Sequence, residues 1–241
     1  MQVVVLAAGL GSRLGEMTAA LPKALVQVAG TSLLLHALRF ARLLSPSRIV
    51  VVGGFEFAQV KRELEAEGFP PPALTLAQNP DFRAGNILSL LAARPYVSGD
   101  LLLMNVDHIY RPTLAPVVGS PCAEITACID TDRALGNDDM KVERDAAGRV
   151  RDIAKTLSRF DCGYVGMTLI PAKEQQRYFS EAEAALRDDG KQIHVERILA
   201  RLARTDRPPA CRDISGHGWL EVDTPDERSR AEESLRDPTW W

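Results

Sequence analysis

The stretch LAAGLGSRLGEMTAALPKAL, residues 6–25, sets Gly9, Gly11, Arg13 and Lys23 directly after a run of apolar residues. Glycines let a backbone turn sharply and bring its N–H groups up to an anion, and the two cations supply charge, so the stretch reads as a phosphate loop. It is neither of the common kinds. A dinucleotide fingerprint needs glycine where this chain has Leu14, and a Walker loop needs Gly-Lys followed by Ser or Thr. Asp107 closes the very apolar run DLLLMNVD, which puts a carboxylate where Mg²⁺ can be held at a strand end. His108 beside it is expected to be a loop hydrogen-bonder. Asp223 similarly ends GWLEVD before a helix, and locally it reads equally well as a neighbour of the helix cap.

These residues need strands to carry them to one edge. Up to about residue 110, short apolar runs (QVVVLAA, RIVVVGG, ALTLA, DLLLMNVD) alternate with helical patterns over 31–44, 56–67 and 84–93. Runs without polar alternation belong to strands covered on both faces, and strands separated by helices require right-handed crossovers and a parallel sheet. The fold class is therefore α/β, a Rossmann-like three-layer arrangement with a mostly parallel mixed sheet, expected to be one continuous sheet.

From Cys122 the pattern changes. AEITACID, MKVERD, GRVRDIA and CGYVGMTLIP follow one another closely, with DAAG marking a hairpin, so the second half reads as more antiparallel. Helices over 172–186 and 195–203 follow, then the GWLEVD strand and a closing helix capped by Thr224 with Pro225 at its first position. The PPPA stretch at 70–73 reads as a stiff loop. The chain reads as a single domain, 1–241, whose first half to about 110 binds one ligand and whose remainder elaborates the site.

The chain has 241 residues, 46% hydrophobic and 25% charged, with 29 basic against 32 acidic side chains, so its net charge of −3 argues against nucleic acid or an anionic membrane as its partner. Folding is expected to hide roughly 70% of the extended chain's surface. Cys122, Cys128, Cys162 and Cys211 form no CxxC pair and read as buried free thiols in a reducing compartment. No basic leader and no run of about 18 apolar residues is present, so a cytoplasmic location is expected. Trp240 and Trp241 are available to pack on the fold or against another subunit, which leaves a homo-oligomer open.

The longer pattern, LAAGxGxRL followed by PKAL, resembles the nucleotidyltransferases that join a nucleoside triphosphate to a sugar phosphate or alcohol phosphate and release pyrophosphate. The proline usual after RL is missing, replaced by Gly15, Glu16, Met17 and Thr18, so a different bend is expected there. The resemblance implies that Leu6, Ala7, Ala8, Gly9 and Gly11 bind the nucleotide, that Arg13 wraps its phosphates and that Lys23 meets the reacting α-phosphate. It makes Asp107 the first metal-binding aspartate and pairs it with Asp223. Gly85 and Asn86, with Gln78 upstream, fall in the base-contacting segment; Asn86 reads equally as a helix cap. In GRVRDIAKTL, Lys155 matches the lysine that receives the incoming phosphate although its neighbours do not, and Lys141 is a second candidate. An exposed strand lysine is the competing reading of each.

PKALVQVAG, GNILSLL, NVDHIY and GWLEVDTPDE look most like cytidylyltransferases acting on inositol 1-phosphate or phosphocholine. The resemblance thus implies CTP, Mg²⁺ and a phosphorylated alcohol. Alternatives are a pyrophosphorylase using UTP or dTTP with a hexose 1-phosphate, a silent nucleotide-sensing module, and a molybdenum cofactor guanylyltransferase. A nicotinamide-dependent oxidoreductase is disfavoured by Leu14 and by the absence of a ribose-binding acid after the second strand.

Overall fold

The computed structural model describes residues 1–68 and 74–241, so the loop expected at 70–73 lies outside the described residues. The chain runs through β1 (Gln2–Ala7), the hairpin β2 (Gln27–Val28) and β3 (Thr31–Ser32), α1 (Leu33–Leu43), β4 (Arg48–Gly53), α2 (Phe57–Ala66) and β5 (Leu74–Gln78). Then come α3 (Ile87–Ala93), β6 (Leu101–Asn105), β7 (His108–Tyr110), α4 (Ala115–Gly119), β8 (Thr126–Asp130), β9 (Lys141–Arg144) and β10 (Val150–Ala154). The remainder is β11 (Cys162–Ile170), α5 (Gln175–Asp189), α6 (Glu196–Leu202), β12 (Ala210–Asp213), β13 (Trp219–Glu221) and α7 (Pro225–Arg236).

Nine strands form one mixed sheet in the order β10-β9-β11-β6-β1-β4-β5, with β8 beside β11 and β12 beside β8. β6, β1, β4 and β5 are mutually parallel, as the apolar runs predict. β11 runs antiparallel to β6, β8 and β9, and β12 returns parallel to β8. The DAAG turn does join β9 to β10, closed by the Gly148 N–H donating to the Asp145 carbonyl at 3.0 Å. The expectation of one continuous sheet is corrected: β2 and β3 pair only with each other, and a second pair also stands apart. β13, the GWLEVD strand, pairs antiparallel with β7 in a separate two-stranded ribbon, because three residues after β6 the chain has already turned off the main sheet.

The three layers follow from the period of two along each strand. Val3, Val5 and Ala7 of β1 face a core shared with α1 and α2, whereas Val4 and Leu6 face the core built on α3, α5 and α6. Each Val or Leu fully buried there contributes about 1.5–3 kcal/mol. A third cluster joins Leu14, Val28, Leu33, Ile109, Val222, Ala231 and Trp240. It pins the glycine loop, the β7/β13 ribbon and α7 to one another. Leu14 is 1% exposed there, which gives the residue that breaks the dinucleotide fingerprint a packing role.

Helix starts shift from their expected places for local reasons. α1 begins after Ser32, whose hydroxyl accepts the Leu35 N–H, since Thr31 is held in the hairpin. α3 begins at Ile87 and not at 84, since the Gly85 N–H donates to the Lys191 carbonyl at 2.7 Å. α7 has the predicted cap and a full capping box between Thr224 and Glu227. Trp240 is buried against the fold under the Arg111 guanidinium, and Trp241 is exposed but stacked on His36. The cysteines are free thiols; Cys128 and Cys162 are buried as expected, while Cys122 and Cys211 are half-buried. Among the described residues no helix is long and apolar enough to cross a membrane.

Candidate active site

Parallel β1 and β6 end at the same edge of the sheet, and the segments leaving them line a cleft of about 430 Å³. After β1 the chain passes Gly9 and Gly11 into a short 3-10 helix, Ser12–Thr18, with a sharp bend at Gly15 (φ 62°, ψ −129°) where the usual proline is missing. The Thr18 hydroxyl and the Leu14 N–H both bond the Gly11 carbonyl, at 2.8 and 2.9 Å. The N–H groups of Gly9, Leu10 and Gly11 have no partner among the described residues. A Cβ on Gly9 would meet nothing within 4 Å, so open space lies beside this row of free donors. Unpaired consecutive backbone donors at the mouth of a cleft are a cradle for an anion.

The charges meet beneath this loop. Lys23 is 7% exposed, and its ammonium donates to Asp107 Oδ2 at 2.7 Å and to Asp223 Oδ1, while Arg13 holds Asp223 Oδ2. Asp107 and Asp223 are brought together by the ribbon: Glu221 pairs with His108, and the Val222 N–H donates to the Asp107 carbonyl at 2.9 Å. Behind it, the Asp223 N–H is bound by Glu227 Oε2 of the capping box at 2.8 Å. Burial would raise the Asp107 carboxyl, but the Lys23 ammonium and His108 outweigh it and hold that carboxyl well below the usual range.

His108 is a buried strand residue of β7, which corrects the expectation of a loop; its hydrogen-bonding role stands, since Nδ1 donates to Asp107 Oδ1 at 2.6 Å. The ring stacks on Trp219. Burial is the largest single influence on His108 and lowers its pKa, but the charge and hydrogen bond of Asp107 together with the charge of Glu221 outweigh it, so the net direction is upward.

The other predicted residues divide. Leu6, Ala8, Gly9, Gly11, Arg13, Lys23, Asn86, Asp107, Lys155 and Asp223 all line the cleft. Ala7 is buried in the core, and Gln78 is an exposed strand end that is not among the lining residues. Gly85 packs behind the wall, where a Cβ would stand 1.7 Å from the Ile193 carbonyl oxygen. Asn86 does not cap its own helix; its Oδ1 accepts the Val195 N–H at 2.8 Å, leaving its amide nitrogen without a partner. Lys141 is buried, and its ammonium donates to the Lys155 carbonyl at 2.8 Å, which anchors the backbone from which Lys155 reaches the cleft.

Several lining residues escaped the sequence reading: Asn105, Tyr164, Gln192, His194 and Glu196. Asn105 lies inside NVDHIY and Tyr164 inside CGYVGMTLIP, with nothing in either stretch to single it out, and the other three share one segment. KQIHVE at 191–196 had one usable signal, charged residues crowded at the start of a helix behind Gly190.

The MobA-like NTP transferase domain matches residues 3–129. A bifunctional IPC transferase and DIPP synthase from Rubrobacter xylanophilus is 34% identical over 236 residues, covering 96% of this chain and 51% of that protein. The chain thus spans about half the length of such curated relatives. Among solved structures, the inositol-1-phosphate CTP transferase from T. maritima superposes with a TM-score of 0.82 at 18% identity, covering 98% of this chain and 96% of that one. The CTP:phosphocholine cytidylyltransferase from Streptococcus pneumoniae gives 0.74 at 18% identity, covering 97% and 98%. These likenesses bear out the fold class and the resemblance drawn from the motifs. Matched over residues 3–129, just over half of its 241 residues, the chain belongs to the MobA-like NTP transferase domain family.

Proposed function

We propose that this protein joins CTP to a small phosphorylated alcohol, of the inositol 1-phosphate or phosphocholine type, giving a CDP-alcohol and pyrophosphate. The observation that carries the reading is Lys23 held between Asp107 and Asp223 beneath three unpaired backbone donors. The free N–H groups of Gly9, Leu10 and Gly11 cradle the triphosphate. Arg13 holds the departing pyrophosphate, and Lys23 lies against the α-phosphate. An oxygen of the acceptor phosphate, held by Lys155, attacks the α-phosphorus in line as the bond to pyrophosphate breaks. Phosphoryl transfer is catalysed chiefly by positioning and by neutralising charge on non-bridging oxygens, which suits a site rich in cations and calls for no covalent nucleophile. A phosphomonoester is already largely ionised at neutral pH, so no strong base is required. The unpaired amide nitrogen of Asn86 is a donor for a pyrimidine carbonyl.

Asp107 and Asp223 fit a Mg²⁺ ion. Both carboxylates already turn toward one positive charge, the Lys23 ammonium, and two carboxylates completed by phosphate oxygens and water form the hard-oxygen set that Mg²⁺ takes. Bound there, the ion would neutralise phosphate charge.

Pyrophosphate release with Mg²⁺ from CTP, UTP, GTP, ATP and dTTP, each against inositol 1-phosphate, phosphocholine and hexose 1-phosphates, tests the reading. Turnover with CTP and an alcohol phosphate is the expected result. UTP or dTTP with a hexose 1-phosphate would overturn the acceptor, and nucleotide binding without release would overturn the reaction.

A further inference from the structure

Trp219 is buried and, among the described residues, is not part of the cleft lining, yet it touches a residue that is. Its place follows from the β7/β13 ribbon. Side chains alternate along a strand, so His108 and Tyr110 share one face of β7. The register sets Trp219 opposite Tyr110 and therefore diagonal to His108, within reach of an aromatic ring. The indole stacks on the imidazole with centroids 5.2 Å apart and planes 15° from parallel.

The indole is itself gripped. Its Nε1–H donates at 2.6 Å to Oδ2 of Asp130, the last residue of β8, and the Arg133 guanidinium lies 4.2 Å from the ring centroid. Asp130 is fixed in turn by the Asp132 N–H, which donates to its other oxygen at 2.9 Å. The imidazole is confined from β11 as well. A Cβ on Gly166 would stand 2.9 Å from Cε1, 3.0 Å from Nε2 and 3.1 Å from Nδ1 of His108, and such near-equal distances put it over the ring face. Gly166 sits where the β11/β8 register shifts and has φ 71°, a glycine bulge that lets the strand press on the ring.

His108 holds Asp107 Oδ1 at 2.6 Å, while Lys23 takes Oδ2 at 2.7 Å. The two holds are unequal. Lys23 ends a long flexible stem, is shared with Asp223, and in the proposed reaction is also claimed by the α-phosphate. A packed imidazole with two torsions keeps the carboxylate plane fixed when the ammonium is drawn away.

We propose that Trp219 is a positioning residue: held at its edge by Asp130 and lying on His108, it fixes the imidazole, and through Nδ1 the Asp107 carboxylate, in the orientation used for transfer. The inference rests on the transfer reaction proposed above and adds to it two residues, Trp219 and Asp130, that stand outside the cleft.

Proton NMR of the whole protein at a single pH, without nucleotide or Mg²⁺, tests the hold. The bond from His108 Nδ1 to Asp107 is expected to give an exchange-protected imidazole N–H signal, assigned by its loss in His108→Gln. The bond from His36 Nε2 to the Val28 carbonyl gives a second signal, which reports the fold. In Trp219→Leu and in Asp130→Ala the His108 proton is expected to exchange at least about tenfold faster, the worth of one hydrogen bond, with the His36 signal unchanged. Asp130→Asn, whose amide oxygen still accepts the indole N–H, is expected to keep the slow exchange. With substrates and Mg²⁺ added, kcat should fall in the two fast-exchanging variants while acceptor KM stays as in the wild type, because neither residue lines the cleft. No protected His108 signal in the wild type overturns the proposal, and that arm needs no variant to fold. So does a His108 proton indifferent to both changes, or an Asp130→Asn that exchanges as fast as Asp130→Ala. Should Trp219→Leu lose both signals by unfolding, the two Asp130 variants decide. The expected exchange pattern without pyrophosphate release would sink the reaction and leave the hold on Asp107 standing; turnover with a His108 proton indifferent to both changes would do the reverse.

Discussion

A Cβ placed on Gly11 would stand 2.7 Å from the Cβ of Lys23 and 3.1 Å from the Thr18 methyl, so the glycine loop rests directly on the stem of the lysine it covers. Gly11 also has φ 68°, in the left-handed region. Gly11→Ala therefore carries about 1–2 kcal/mol of backbone strain and pushes Lys23 off its two carboxylates. A melting temperature lower by about 2–8 °C and at least about tenfold slower turnover are expected. Gly9→Ala is the contrast, since its Cβ meets only open space. It should melt as the wild type does and lose nucleotide affinity; equal affinity would mean the free N–H row does not face the phosphates.

Removing the Lys23 ammonium takes away the one cation shared by Asp107 and Asp223, leaving Arg13 on Asp223 and His108 on Asp107. In chelator, Lys23→Ala should be destabilised by about 3–5 kcal/mol, the usual cost of unpairing a buried charge, while remaining folded at room temperature. Millimolar Mg²⁺ should restore part of that melting temperature, and by more than it raises the wild type. Turnover should fall at least about a hundredfold in this variant and in Asp107→Asn. A melting curve of Lys23→Ala that ignores Mg²⁺ would remove these two aspartates as the metal pair.

Gly85→Ala puts a methyl 1.7 Å from the Ile193 carbonyl oxygen, a backbone atom with no side-chain freedom to yield. The 191–195 segment must lift away, breaking the bond from the Gly85 N–H to Lys191 and the one from Val195 to Asn86. Limited trypsin digestion should then cut after Lys191 far faster than in the wild type, and acceptor KM should rise with it. Unchanged digestion would show that the wall is not held at Gly85.

Two buried histidines should titrate in opposite directions. Burial lowers His36, whose Nε2 donates to the Val28 carbonyl at 3.0 Å while its Nδ1 is buried without a partner. Its folded pKa lies below 6.5, so its contribution is complete above that pH and is lost as pH falls through the folded value. His108 is raised by Asp107 against the effect of burial, so its contribution is complete below 6.5 and lost as pH rises through its folded value. The ring protons followed by NMR should give one midpoint on each side of 6.5. His36→Gln should lose less stability than the wild type between pH 7 and 5, and two midpoints on the same side would refute the pairing of His108 with Asp107.

The parallel half of the sheet was legible because strands covered on both faces are apolar along their covered length, and VVVLAA, IVVVGG and LLLM are. The glycine loop was legible because its chemistry is local: turn residues and two cations within 15 residues, Gly9 to Lys23. The cap of α7 and the DAAG hairpin were legible for the same reason. What lay beyond the sequence is everything that joins distant segments. Nothing near Asp223 says that Glu221 will pair with His108, and that pairing is what sets two aspartates 116 residues apart around one ammonium. Local propensity and hydrophobic period act over a few residues, so the sequence by itself determined the strands, the loop and the helix caps. Long-range register and burial are decided only when the layers pack, and they alone set which charges meet.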